Sequence, residues 1–291
     1  MDKKSLRLVN TYVENERLKC LNERTIYGKR RDIDRFLNFV KKLALTVSEW
    51  DIQKFIDHER SRNLSETTMN QIISHLKDFY AFLLEDEYIF ADPTVLIELP
   101  KQERNHNPVF TESEIKRIFE ATRGHKMEIR DRSLMELLYS TGMRCAELTG
   151  LDIDDVNFTD REITIRHGKF GKERIVPVGE EALSYLDRYL DQRLSKVVIK
   201  DNQALFLSLK GSRIKGNDIR TMIRKYKRIT GITKKGLSHA FRYACATHIL
   251  KHGGPIQLIQ RLLGHEYLCT TQIYTEVTEQ DLKEKYNEAM R

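Results

Sequence analysis

Along the first hundred residues, apolar side chains recur at intervals of three and four. After Asn22-Glu23-Arg24-Thr25, the run TIYGKRRDIDRFLNFVKKL places Ile26, Ile33, Phe36, Leu37 and Val40 on one side of a helix. Ser65-Glu66-Thr67-Thr68 opens a second such run. There Met69, Ile72, Ile73, Leu76, Phe79, Tyr80 and Leu83 form one broad stripe. Shorter helices are predicted over 3–20 and 48–62, and no strand pattern competes with them. Residues 1–100 therefore read as a compact four-helix domain. The pattern then breaks: Asp92-Pro93 is followed by PKQERNHNP, a polar stretch bounded by Pro100 and Pro108. It reads as an extended linker over 101–110, with the domain boundary near 105. Thr111 with Glu114 forms a capping box ahead of Ile115, Ile118 and Phe119, so a new domain starts at 111.

The second domain, 111–291, mixes two periods. A helix over Arg132–Tyr139 turns at Ser140-Thr141-Gly142 into another that begins Met143-Arg144-Cys145-Ala146-Glu147-Leu148. Two alternating runs, Glu162–Arg166 and Arg174–Val178, flank HGKFGKE, whose Gly168 and Gly171 are turn residues. They predict a β-hairpin with Lys169 and Lys172 at or near its tip. An amphipathic helix follows over 180–194, then a short strand or extended piece at 205–208 and a basic helix over 217–230. Ser238 reads as the N-cap of HAFRYACATHILKHG, which Gly253-Gly254-Pro255 ends. IQLIQRLLG is the next helix, stopped at Gly264 just before His265, and a further segment carries Tyr274. Leu282, Tyr286 and Ala289 or Met290 share a face of a tail helix. The fold class is mainly α in two domains, with a small antiparallel sheet in the second.

Composition narrows what such a chain does. Of its 291 residues, 40% are hydrophobic and 32% charged, the balance of a globular protein able to bury a core. No apolar run approaches the ~20 residues of a membrane span. The N-terminus lacks the apolar stretch and cleavage site of a signal peptide, so a cytoplasmic location is expected. Cys20, Cys145, Cys245 and Cys269 are widely spaced with no CxxC, which argues against structural zinc and a disulfide framework. Residues 1–100 hold 16 Lys and Arg against 17 Asp and Glu, while the remainder holds 34 against 26. A surplus in one half points to a polyanion, with nucleic acid ahead of a membrane surface.

The candidate chemistry lies in the last third. His239 and Arg242 fall at i and i+3, His265 follows a glycine, and Tyr274 comes nine residues later. Two histidines, an arginine and a tyrosine are what attack on a phosphodiester without a metal needs. Arg144 and Glu147 share a helix face, either as a surface ion pair or as a guanidinium held by a carboxylate and aimed at a phosphate. Lys169 is either solvated or a proton donor to a leaving oxygen. GKFGK lacks the spacing of a phosphate-binding P-loop, so no nucleotide site is expected. His248 and His252, four apart, lack a third ligand, and no metal is expected. Lys29, Arg30 and Arg31, with Arg35, form a basic run that either touches phosphates or is a solvated face. Arg213, Lys215, Arg220 and Arg224, with Lys172 on the hairpin, read as a DNA-facing side with the same alternative.

TGMRCAEL, HGKFGKERIVP, SHAFRYACATHIL and LLGHEYLCTTQIYT, in that order, resemble the tyrosine recombinase (phage integrase) family, most closely its Xer-type members. The resemblance covers nearly the whole chain and implies a core-binding domain and a catalytic domain closing as a clamp on duplex DNA. It implies that Arg144 and Arg242 clamp the scissile phosphate, supported by Glu147. Lys169 would protonate the leaving 5′-oxygen, His239 would assist proton transfer, His265 would contact the phosphate and Tyr274 would be the nucleophile. Tyr243 and Ser238 depart from the family pattern, where histidine and proline are common. No cofactor is implied. The implied partners are double-stranded DNA carrying a specific site and a homo-tetramer on two paired sites held through the C-terminal tail. A second recombinase or accessory protein is a further candidate partner. The implied function is recombination through a 3′-phosphotyrosyl link and a Holliday junction, in chromosome dimer resolution or, alternatively, mobile-element integration. A type IB topoisomerase and a non-catalytic DNA-binding regulator are the rival readings.

Overall fold

The computed structural model describes residues 1–19, 21–100, 109–166, 173–196 and 199–264. Cys20, most of the linker, Lys169, Lys172, His265, Cys269, Tyr274 and the tail lie outside them. The chain divides into two compact units, Met1–Asn105 and His106–Arg291.

The first unit holds four α-helices, α1 (Lys3–Leu18), α2 (Glu23–Val40), α3 (Glu49–Ser61) and α4 (Glu66–Glu85). Each begins at a polar side chain that accepts from the first-turn amides: Asp2, Asn22, Ser48 and Ser65. At α3 the cap is reciprocal, because Asp51 reaches back to Ser48. The apolar stripes meet in one core, where the Phe36 ring lies edge-on to Phe55 at 5.1 Å between centroids.

The basic run on α2 divides: Arg30 and Arg31 lie on a solvated face, whereas Lys29 is enclosed. Lys29 falls between Ile26 and Ile33 at helical spacing, so its side chain is only 12% exposed. It reaches Glu16 at 2.5 Å and Asp78 at 2.7 Å, as a half-buried cation must. Lys29 is thus part of the unit's interior, which corrects its assignment to a DNA-facing set. Arg31 bonds Asp32, whose other oxygen meets the His75 ring at 2.8 Å, and Arg30 lies 3.5 Å from Asp34.

The second unit contains α5 (Glu112–Glu120), α6 (Glu128–Thr141), α7 (Cys145–Gly150), α8 (Glu180–Lys196), α9 (Gly216–Thr230), α10 (Ser238–Lys251) and α11 (Ile256–Leu263). The capping box of Thr111 and Glu114 starts α5. Helix α6 is central: Leu134, Met135, Leu137 and Leu138 are all fully buried, which covers too much of its circumference for a surface helix. It packs against α8 and α10. Strands β1 (Val156–Asn157), β2 (Glu162–Ile165) and β3 (Arg174–Pro177) form an antiparallel sheet in that order. The pairing of Ile165 with Arg174 sets the base of the hairpin. The two-residue β1 is too short to show a sequence period. Leu205–Ser208 is not a ladder strand; Ala204 and Leu207 make isolated bridges to Asp152 and Arg213, while Leu205 and Phe206 are buried.

One cap differs from expectation. Ser238 is the first residue of α10, and Leu237 stands at the N-cap position without a side-chain bond. Ser238 is buried inside the first turn of the helix, beside the Cys145 thiol, rather than at the cap position before it. No helix among the described residues is long and apolar enough to cross a membrane.

Candidate active site

The turn after α6 builds the first part of the site. Gly142 ends the helix with φ +58°, and a Cβ there would come within 2.7 Å of the Leu263 side chain. Backbone conformation and close approach both require glycine at this point. The turn exposes the Gly142 carbonyl and directs the chain into α7, with Arg144 at its N-cap position.

Glu147, one turn into α7, is buried, and four donors surround its carboxylate. Oε1 accepts from Arg144 Nη1 at 2.9 Å and Arg174 Nη1 at 2.8 Å. Oε2 accepts from the Arg144 backbone amide at 2.7 Å and Arg174 Nη2 at 2.9 Å. A carboxylate has about four lone-pair sites, so this one is saturated. Burial alone would raise the Glu147 pKa, but the hydrogen bonds from Arg174 and from Arg144 outweigh it and hold the group at about 2.

The folded pKa lies below the ordinary 4.5, so ionised Glu147 contributes stability that is present above about 4.5 and lost as pH falls towards about 2. The shift corresponds to stabilisation on the order of 3 kcal/mol. Thermal melts of wild type and Glu147→Gln across pH are expected to show the largest difference near neutrality. That difference should shrink as the pH drops below about 4.5.

Arg242 comes from the second turn of α10 and is 5% exposed. Its Nη1 donates to the Gly142 carbonyl and its Nη2 to the Leu263 carbonyl, both at 2.6 Å. It thereby ties the C-terminal end of α6 to that of α11. Arg174 Nε completes the arrangement by donating to the Leu262 carbonyl at 3.3 Å. Gly264, the last described residue, has φ +63°, and a Cβ there would lie 3.1–3.3 Å from the Arg174 side chain.

His239, one turn before Arg242, is exposed. Desolvation where the ring meets protein, followed by the charges of Arg242, Arg144 and Arg220, pushes its pKa below the usual imidazole value. The three cations give that direction however wet the ring is. The lowering favours the neutral ring, which is the form able to accept a proton. Arg220, on α9, also bonds Asn217 at 2.7 Å. Burial pushes the Cys145 thiol up, and the Cys245 thiol up to about 12, so neither is a nucleophile at neutral pH.

Arg144, Glu147, His239 and Arg242, expected from sequence, thus meet in one place, with Arg220 from the basic helix beside them. Arg224 is exposed one turn further along α9, and Lys215 is exposed at its N-cap. Arg213 is half-buried and bonds Asp152 at 2.5 Å, Asp201 at 3.2 Å and the Leu151 carbonyl at 2.9 Å, so its donors are engaged within the unit. His248 bonds the Tyr139 hydroxyl at 2.8 Å and His252 lies 3.2 Å from Glu112, so each has its own partner. Arg174 went unnoticed in the sequence. Its signal is the period of two in β3, where it shares the inner face with buried Val176 while Ile175 is exposed.

Residues 108–281 match the phage integrase family, and residues 12–87 match the N-terminal SAM-like domain of phage integrases. The tyrosine recombinase XerD of Oceanobacillus iheyensis is 32% identical over 91% of this chain and 92% of its own. Among solved structures, XerA recombinase is 32% identical, covers 98% of both chains and superposes with a TM-score of 0.57. The XerH site-specific recombinase, solved with its palindromic difH substrate after cleavage, is 22% identical over 91% of this chain and 80% of its own. Its TM-score of 0.76 marks a shared fold.

Proposed function

The chain belongs to the phage integrase family, and we propose that it is a Xer-type tyrosine recombinase that resolves chromosome dimers at a specific DNA site. The observation that carries this reading is the convergence of Arg144, Arg242 and His239, with Arg220 adding a further positive charge.

Such a site does the following chemistry. The Tyr274 hydroxyl attacks phosphorus, and its proton passes to His239. Negative charge builds on the non-bridging oxygens, where Arg144 and Arg242 stabilise it, joined by His265. The bond from phosphorus to the 5′-oxygen breaks, and that oxygen leaves with a proton from Lys169. The 3′-phosphotyrosyl link retains a phosphodiester bond, so attack by a 5′-hydroxyl of the partner duplex reverses the step without an external energy source. Repeated on two strands in turn, this makes and resolves a Holliday junction. Arg224 and Lys215 offer charge to the DNA backbone away from the reacting phosphate.

Covalent capture on fragmented, nicked DNA from the source organism tests the reading. Detergent-resistant adducts mapping to one chromosomal site support dimer resolution, whereas adducts at the ends of a mobile element replace it with integration. Absence of any adduct removes the catalytic reading. Two paired sites require four protomers, and the amphipathic tail is proposed to dock on a neighbouring protomer. Deleting residues 279–291 should leave adduct formation on a single site intact and abolish pairing of two sites in a gel-shift assay.

A further inference from the structure

We propose that Arg174 is a positioning residue for this reaction, acting through Glu147 to keep the charge and the unused donors of Arg144 turned to the scissile phosphate. The proposal rests on the recombinase reading above.

The argument starts from how a carboxylate and a guanidinium pair. Left alone, Glu147 and Arg144 would favour the two-pronged arrangement in which both carboxylate oxygens meet one guanidinium edge. That pairing would cancel the arginine's charge and consume two of its nitrogens. In the structure Arg174 takes that arrangement instead, with Nη1 on Oε1 at 2.8 Å and Nη2 on Oε2 at 2.9 Å. Arg144 is left with a single side-chain bond from Nη1, while its backbone amide takes the last lone pair of Oε2. Its Nε and Nη2 have no partner among the described residues. Two guanidinium charges share one carboxylate, so the cluster retains a net positive charge.

Arg174 is well held for this task. It is 14% exposed along its side chain, is anchored by Nε to the Leu262 carbonyl and packs against Gly264. It therefore joins β3, α7 and the end of α11. The neighbouring Leu263 carbonyl is the one that Arg242 holds, so both clamping arginines are referenced to the same helix end. Lysine at 174 would keep the charge but could not span two carboxylate oxygens and a carbonyl.

The test compares cleavage of two nicked substrates by the full chain. One carries the natural scissile phosphate, and the other a methylphosphonate, in which a neutral methyl replaces one charged oxygen. Arg174→Lys is expected to bind DNA as wild type does and to cleave the phosphate about 100-fold more slowly, the scale of a roughly 1 Å misplacement. On the methylphosphonate its defect should shrink to a few-fold, as should that of Arg144→Ala, because less charge needs stabilising. A role confined to holding the fold would slow both substrates equally, and that result overturns the proposal. Wild-type rates for Arg174→Lys on the phosphate also overturn it. If Arg174→Lys does not fold, Glu147→Gln is read on the same pair of substrates, and an equal defect on both again overturns it. Failure of wild type to cleave the phosphate substrate sinks the recombinase reading itself, and this inference with it.

Discussion

Tyr274→Phe is expected to bind the recombination site with wild-type affinity and to form no covalent adduct with it. Phenylalanine keeps the ring and deletes only the hydroxyl oxygen, the proposed attacking atom. A tyrosine hydroxyl has an ordinary pKa of ~10, so at neutral pH it must lose its proton as it attacks. In the proposed reaction His239, whose pKa the cations around it lower, takes that proton. Removing a nucleophile outright costs at least about 10⁴-fold in rate, which in a gel of detergent-resistant complexes is disappearance of the band. Persistence of the band in Tyr274→Phe would remove Tyr274 as the nucleophile. The neighbouring assignments would then need a different attacking group.

The second large effect is expected at Arg242, where one substitution should damage both fold and chemistry. In Arg242→Ala the carbonyls of Gly142 and Leu263 lose donors that now lie at 2.6 Å. Both are helix-end carbonyls, beyond the reach of intrahelical amides, and each buried acceptor left without a partner costs about 1–3 kcal/mol. The second unit should therefore be destabilised by about 2–6 kcal/mol, seen as an earlier transition in thermal or urea denaturation. Cleavage should fall by at least about 10²-fold from loss of transition-state charge stabilisation. Arg242→Lys distinguishes the two contributions: it restores the charge but satisfies at most one of the two carbonyls. Its stability should lie between alanine and wild type, and its cleavage should stay far below wild type. Equal stability of Arg242→Ala and wild type would show that the carbonyls find other donors.

Legibility in the sequence followed the range of the interaction. Helices α2 and α4 were readable because a stripe of apolar residues at three- and four-residue spacing can be buried only one way. The cap at Thr111 was readable because its partner, Glu114, lies three residues on. Arg144 with Glu147 was readable for the same reason, but only as a pair with two meanings. The β-hairpin was readable from alternation, whereas β1 was two residues long and left no period. Lys29 shows the limit of reading charge by clusters: a run of basic residues suggests a surface, yet its own spacing from Ile26 and Ile33 put it on the buried stripe. Arg213 had no such local clue, since Asp152 lies 61 residues away. Ser238 looked like a helix cap, yet α10 begins one residue earlier than that reading needs, with Leu237 at the cap position.

The sequence by itself determined which stretches become helices and which residue types are available for phosphodiester chemistry, because periodicity, capping and composition act within a few residues. Only the tertiary structure decided what those residues can do. Arg174 reaches Glu147 across 27 positions, and Arg242 reaches Gly142 across 100. These contacts set which guanidinium takes both oxygens of the carboxylate and which helix ends are tied together. Hydrogen-bond saturation and electrostatics in a buried cluster depend on distances in space, and a chain records only distances along itself.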